Sequence, residues 1–253
     1  MTSPWDLLQS GHYEAAVKEY SRLCAEEGGT FYLFNRGIAY LLLGNFDAAQ
    51  NDFRQIIDEE PTRPSAAAFC FVGIAQWHLN QPQEAITTWR AGLNARYSDA
   101  AGGVEIPVLL LYAGWRMGHP AVEAEALSLL QTLWGQHCRR HKRVNRGTNT
   151  STDDFVHPGL LTWPGPLAPL YLGEIDSSMV QKVVDQTSPP TLQERYQCAV
   201  NFHLGLVAGR QGDRDAFQRG MRRCAASRRG LLEAEFYLAR WEVDRGFLPL
   251  SVT

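Results

Sequence analysis

The stretch TFYLFNRGIAYLLLGNFDAAQNDFRQIIDEEPTR, residues 30–63, decides the fold of this chain. Apolar residues recur at helical spacing on both sides of Gly44, which predicts two antiparallel helices joined by a tight turn. Gly37 and Ala49 are small, so the two helices can cross closely. Tyr40 and Phe53 are bulky and suit the wedge between this pair and its neighbour. Gly44 permits a left-handed turn, and Pro61 stops the second helix.

The same order of residues returns on either side. From Ala66 onward, Gly73 takes the place of Gly37, Asn80 that of Gly44, Ala85 that of Ala49 and Trp89 that of Phe53. A truncated copy opens the chain, with Gly11, Ala16 and Tyr20 at the turn, small and aromatic positions and almost no first helix. Gly11 to Gly44 is 33 residues and Gly44 to Asn80 is 36, a period in the range of stacked helix-pair repeats. Downstream the pattern reappears in residues 198–229, with Gly205 in the crossing, Gly212 at the turn and Met221 in the wedge. Residues 231–245 then predict an amphipathic helix that caps the end of the stack.

With Thr30 as position 1, the first quoted stretch resembles the tetratricopeptide repeat (TPR), and only Ile56 stands where that pattern prefers alanine. The resemblance implies an all-α, TPR-like solenoid, a right-handed superhelix of antiparallel helix pairs. At ~10–14 residues per helix, this length allows about ten to twelve helices. Residues 1–135 would hold the N-terminal repeats, and residues 104–117 and 121–134 would form a degenerate pair around Gly118-His119-Pro120. Residues 136–159 are basic and poor in apolar side chains, which predicts an exposed loop. Residues 160–253 would continue the same solenoid with a proline-punctuated segment, a helix capped by Asp176, the late repeat and the capping helix. Trp163-Pro164-Gly165-Pro166 followed by Leu170-Tyr171-Leu172-Gly173-Glu174-Ile175 resembles a segment of bacterial lipoprotein I type TPR adaptors. That likeness implies a scaffold for another protein, such as a processing protease or a peptidoglycan enzyme, often as a homodimer. Soluble TPR proteins of this size also resemble immunity proteins, which neutralise a bacterial toxin by occluding it.

Composition narrows the class without naming a partner. The 253 residues are 45% hydrophobic, 20% charged and 11% aromatic, the makeup of a globular protein and not of a fibrous or disordered one. The most apolar run, residues 106–114, is far shorter than the ~20 residues of a bilayer helix. Residues 1–9 have no basic residue and no lipid-attachment cysteine, so the expected location is cytoplasmic, with no membrane span. Five scattered cysteines, with no C-x-x-C pair, predict reduced thiols. Net charge is −7 over residues 1–135 and +4 over residues 136–253, an asymmetry that offers acidic and basic faces to different partners.

No P-loop, G-x-G-x-x-G, G-x-S-x-G or H-E-x-x-H motif is present, so the expectation is a protein that is not an enzyme and has no cofactor. His137-Cys138-x-x-His141 lacks the second pair of ligands a zinc site needs, and metal binding is not expected. Arg139, Arg140, Lys142 and Arg143 are the candidates for contact with an anion, a phosphate or nucleic acid, although no aromatic is interleaved for base stacking.

In a TPR stack the concave face is lined from the first helix of each pair. The resemblance assigns Phe31, Phe34, Ile38, Leu41 and Leu42 to it from one repeat, and Ala67, Cys70, Ile74, Trp77 and His78 from the next. Chaperone-type TPR domains that clamp a carboxylate place Lys and Asn where Phe34 and Ile38 stand, so that mode is not expected. Two readings of the apolar set stay open: an exposed groove for a partner protein anchored by Phe34 and Trp77, or a groove filled by the capping section or by residues 160–175.

Overall fold

In a computed structural model the protein is described over residues 2–59, 61–62, 64–95, 99, 103–144 and 162–247, with backbone alone at 140–144. Among the described residues thirteen α-helices run in sequence: α1 (Pro4–Gln9), α2 (Tyr13–Glu26), α3 (Thr30–Leu43), α4 (Phe46–Glu59), α5 (Ala66–His78), α6 (Pro82–Gly92), α7 (Glu105–Met117), α8 (Pro120–Val144), α9 (Leu167–Tyr171), α10 (Ser177–Asp185), α11 (Pro190–Arg210), α12 (Arg214–Ala225) and α13 (Ala234–Asp244). Each packs on the next in an all-α, TPR-like solenoid, and no β-strand occurs among the described residues. No described helix is long and apolar enough to cross a membrane.

The local signals read from the sequence have physical counterparts. Gly11, Gly44, Asn80, Gly118 and Gly212, the five residues assigned to inter-helix turns, all have positive φ. Helix α4 ends at Glu59, just before Pro61. Asp176 caps α10 by accepting from the Ser178 and Met179 amides, and Asp213 caps α12 through the Ala216 amide. The first pair has only the six-residue α1 as its leading helix, started by a capping box between Ser3 and Asp6.

The close crossing is made differently from the Gly37–Ala49 reading. A Cβ on Gly37 would lie 2.6 Å from Phe53 Cζ, and one on Gly73 would lie 2.2 Å from Trp89 Nε1. The late repeat repeats the relation more loosely, with Met221 Cε 3.4 Å from a Cβ built on Gly205. In each case the glycine sits sixteen residues before the large side chain; the Phe53 and Trp89 rings lie directly on their glycines, whereas at Gly205 the Gly220 Cα and the Phe217 carbonyl come nearer than Met221. The bulky residue therefore wedges against its own repeat's first helix. Trp89 fixes its ring further by donating Nε1–H to the Cys70 carbonyl at 3.1 Å.

Two expectations are corrected. Residues 136–144, assigned with 145–159 to an exposed basic loop, continue helix α8, because no proline follows Pro120 until Pro158 and the polar run is made of helix-compatible residues; residues 145–161 lie outside the described ones. Helix α13, expected as a one-sided cap, is buried nearly all round: Phe236, Tyr237, Leu238, Ala239 and Trp241 are all in the core. It packs not only on α12 and α11 but also on α5, far away in sequence.

Candidate functional site

Helix α13 packs on α5 of the N-terminal repeats. Its Trp241 meets Trp77 edge to face at 5.6 Å, and its Tyr237 meets Phe71 at 5.9 Å. His78 stacks on Phe46 and donates Nε2–H to the Tyr237 carbonyl at 3.1 Å. Burial holds His78 down to about 4, against that hydrogen bond, which pulls upward. From α7, Arg116 Nε and Tyr112 Oη both donate to Glu242 Oε1, at 2.8 and 2.7 Å, and the Arg116 guanidinium lies over the Trp241 ring. Burial pushes the Glu242 carboxyl above the usual range, with Arg116 opposing it.

The groove residues named from the sequence therefore divide. Ile38, Leu41, Leu42, Cys70, Ile74 and Trp77 are buried, Trp77 at 2% exposure, and they are core contacts in this arrangement. His78 is mostly covered by α13. Phe31 is 70% exposed on the outer edge of α3, away from the packed set. Phe34 stands between these groups: it meets Phe53 and Phe71 edge to face and stays half-buried. Trp77, one of the two residues named as anchors, is thus covered by α13, whereas Phe34 is only partly buried.

What remains of the concave face is a cavity of about 360 Å³, at the lower end of the range of ligand pockets. Phe34, Ala67 and Phe71 form the wall from α3 and α5. Trp163, Pro164 and Leu167 close the opposite side, and Arg195 and Tyr196 of α11 complete it with Leu232, Glu233 and Glu235. Asp99 and Glu105 stand at the start of α7. Residues of the W-P-G-P segment thus reach the groove, as one of the two filling segments envisaged from the sequence, and Trp163 is held there by stacking on Tyr196 at 5.4 Å.

The acids of this cavity are held by different means. Asp99 accepts the Gly103 and Glu105 amides, which ties the chain into α7. Arg195 Nε and Nη2 both contact Glu233 Oε1, at 2.7 and 2.6 Å. Burial nevertheless pushes Glu233 up to about 7; Arg195 pulls it down and Glu235 adds to the rise. Glu235 is pushed up by burial too, but the His203 contact at 2.9 Å outweighs that and leaves it below the usual carboxylate range. His203 Nδ1 lies 2.8 Å from Tyr171 Oη, so a buried Tyr171–His203–Glu235 chain leads from the cavity lining at Glu235 into the core.

The remaining sequence candidates lie elsewhere. Arg139 is exposed on α8 beside His137 and Cys138; the side chains of Arg140, His141, Lys142 and Arg143 lie outside the described residues. Among the described residues no three His, Cys, Asp or Glu gather as a metal site. On α12, Arg222 lies over the Phe247 ring at 4.8 Å. The acids of the cavity were not found from the sequence. Each is close in space only because α7, α11 and α13 converge, and the sole local signal was the glutamate pair Glu233 and Glu235 just ahead of the apolar run Phe236–Ala239.

A comparison with curated proteins finds no match to the chain. Residues 30–63, which include α3 and α4, match the family described as Tetratricopeptide repeat. Helices α3 and α4 are thus similar to a tetratricopeptide repeat, and they belong to an all-α, TPR-like solenoid.

Proposed function

We propose that this chain is a non-catalytic, protein-binding adaptor that receives a segment of its partner in the cavity between α3, α5, Trp163 and α11. A tetratricopeptide repeat supports a protein-interaction role in general, and the fold alone does not choose the surface. The observation that carries the reading is the cavity itself. It is the part of the concave face that α13 leaves uncovered, and it joins aromatic walls to a few convergent charged groups, the usual makeup of a recognition pocket. The likeness of residues 163–175 to the lipoprotein I type adaptors points the same way, because that segment forms the cavity's far wall.

Affinity capture from a lysate of the source cells tests this with three baits: the intact chain, Ala67→Trp, which fills the cavity from the α5 wall, and Phe31→Ala at the exposed edge. The expected result is a dominant protein held by the intact chain and by Phe31→Ala but lost from a folded Ala67→Trp. Equal capture by all three would refute the placement of the site.

A further inference from the structure

We propose that Cys198 and Cys224 are a redox-sensitive dithiol, oxidised by a hydroperoxide to a reversible disulfide that ties α11 to α12. This pair and its chemistry are independent of the adaptor reading above. The two residues are 26 apart in sequence, yet their Sγ atoms lie 3.4 Å from each other in the core. The way the two helices cross brings them together. A Cβ on Gly220 of α12 would lie 2.7 Å from Gly205 Cα and 2.5 Å from the Asn201 carbonyl oxygen, both on α11, so the backbones touch there. Cys224 follows Gly220 by one helical turn and Cys198 precedes Asn201 by three residues, which in an antiparallel pair sets the two thiols face to face beside the crossing. A disulfide needs Cα atoms about 4.4–6.8 Å apart, and close crossings of this kind favour it. From the present separation the sulfurs need approach by only about 1.4 Å to reach bonding distance.

In the reduced form Cys198 donates its S–H to the Cys224 carbonyl at 3.4 Å. Both thiols are buried, but their cover is thin. A Cβ on Gly230 would lie 2.6 Å from Cys198 Sγ, so the segment between α12 and α13 rests directly on that sulfur, and its Ala226 and Arg228 are exposed. Opening of that connection admits a small oxidant. One thiolate then attacks the peroxide oxygen; the O–O bond breaks, a sulfenic acid forms, and the departing hydroxide takes a proton to become water. The second thiolate attacks the sulfenic sulfur, the S–S bond forms, and the S–O bond breaks to release a second water. Two thiols lose two electrons in all and one peroxide gains them; a dithiol reductant reverses the bond by exchange. Burial, with Cys198 alongside, pushes the Cys224 thiol well above its ordinary range, so thiolate is scarce and the reaction in the closed fold is slow.

The test treats the reduced, intact chain with excess hydrogen peroxide at pH 8, alkylates it under denaturing conditions and maps the peptides by mass spectrometry. The expected result is a cross-link between the Cys198 and Cys224 peptides, with alkylation lost at both and restored by dithiothreitol, while Cys70, also buried, stays alkylatable. Because the bridge closes a loop in the unfolded chain, oxidation should raise the melting temperature by roughly 5 °C. Cys224→Ala should show neither the cross-link nor that rise. Both cysteines remaining alkylatable, each passing singly to a sulfinic or sulfonic acid, or cross-links that join other cysteines in preference would overturn the proposal. That mapping is made on the unmodified chain, so it decides the matter even if Cys224→Ala fails to fold.

Discussion

The docking of α13 on the concave face is best tested with a double-mutant cycle on Trp77 and Trp241, whose rings meet edge to face at 5.6 Å across a gap of more than 160 residues in sequence. Trp77 is 2% exposed and also packs on Trp89 and Tyr112. Removing such a ring costs about 3–5 kcal/mol, transfer and cavity together. With a urea m-value of about 2.5 kcal/mol/M, Trp77→Ala should lower the unfolding midpoint by roughly 1.5 M. That loss alone does not locate α13, because part of it comes from Trp89 in the same repeat. The coupling does. An edge-to-face aromatic pair contributes about 1 kcal/mol beyond area burial, so Trp77→Ala, Trp241→Ala and the double variant should deviate from additivity by about 1–2 kcal/mol in urea unfolding followed by circular dichroism. Phe31→Ala, at a residue 70% exposed, should stay within about 0.5 kcal/mol of the parent. Strict additivity of the two tryptophan variants would refute the filled groove and return Trp77 to the role of an anchor for a partner.

Two further outcomes follow from the packing. Gly73→Ala places a Cβ 2.2 Å from Trp89 Nε1 and disturbs its bond to the Cys70 carbonyl; overpacking and the weakened bond outweigh the gain in helix propensity by about 2 kcal/mol, so thermal unfolding should fall by roughly 4–8 °C, whereas Gly135→Ala, whose Cβ meets only Arg139 Nη1 at 3.6 Å, should be neutral or slightly stabilising. His78 is held at about 4 in the fold against an ordinary value of 6.5, so the unfolded chain takes up its proton first as pH falls. Its contribution is fully present above pH 6.5 and is lost as pH drops toward 4, by about 2 kcal/mol between pH 7 and 5; a folded His78→Phe variant should show a correspondingly shallower acid loss in urea titrations at those two pH values, even though Glu233, raised in the fold, acts in the opposite direction in both proteins.

The parts of this architecture that could be read from the sequence are those set within a repeat. A left-handed residue after each first helix is a backbone requirement, so Gly44, Asn80 and Gly118 announce their turns without any tertiary context. The relation of Gly37 to Phe53 and of Gly73 to Trp89 is likewise local, and it could be counted, although the glycine's true neighbour was the large residue and not the small one at position 20. The far end of α8 was missed for a different reason. Polarity was taken as a sign of a loop, whereas residues 136–144 carry no helix breaker and their intrinsic propensity continues the helix.

The filling of the groove belongs to another class of information. Nothing near Trp77 in sequence says that Trp241 will cover it, since the pairing depends on the superhelix curving until α13 reaches α5. One signal was present in α13 itself. Phe236, Tyr237, Leu238 and Ala239 are consecutive, so they cannot lie on one face, and a one-sided terminal cap has no use for them. Once such a helix is buried, its polar residues must find partners, and Glu242 does so by accepting from Arg116 and Tyr112 of α7. This has a consequence for recognition. A solenoid that uses the apolar strip of its concave face as its own core leaves for a partner only the margin of that face. There the helix ends of α7 and α13 meet the W-P-G-P segment and bring acids beside aromatic rings. The residues that line this margin are thus chemically unlike the greasy strip that the repeat positions alone indicate.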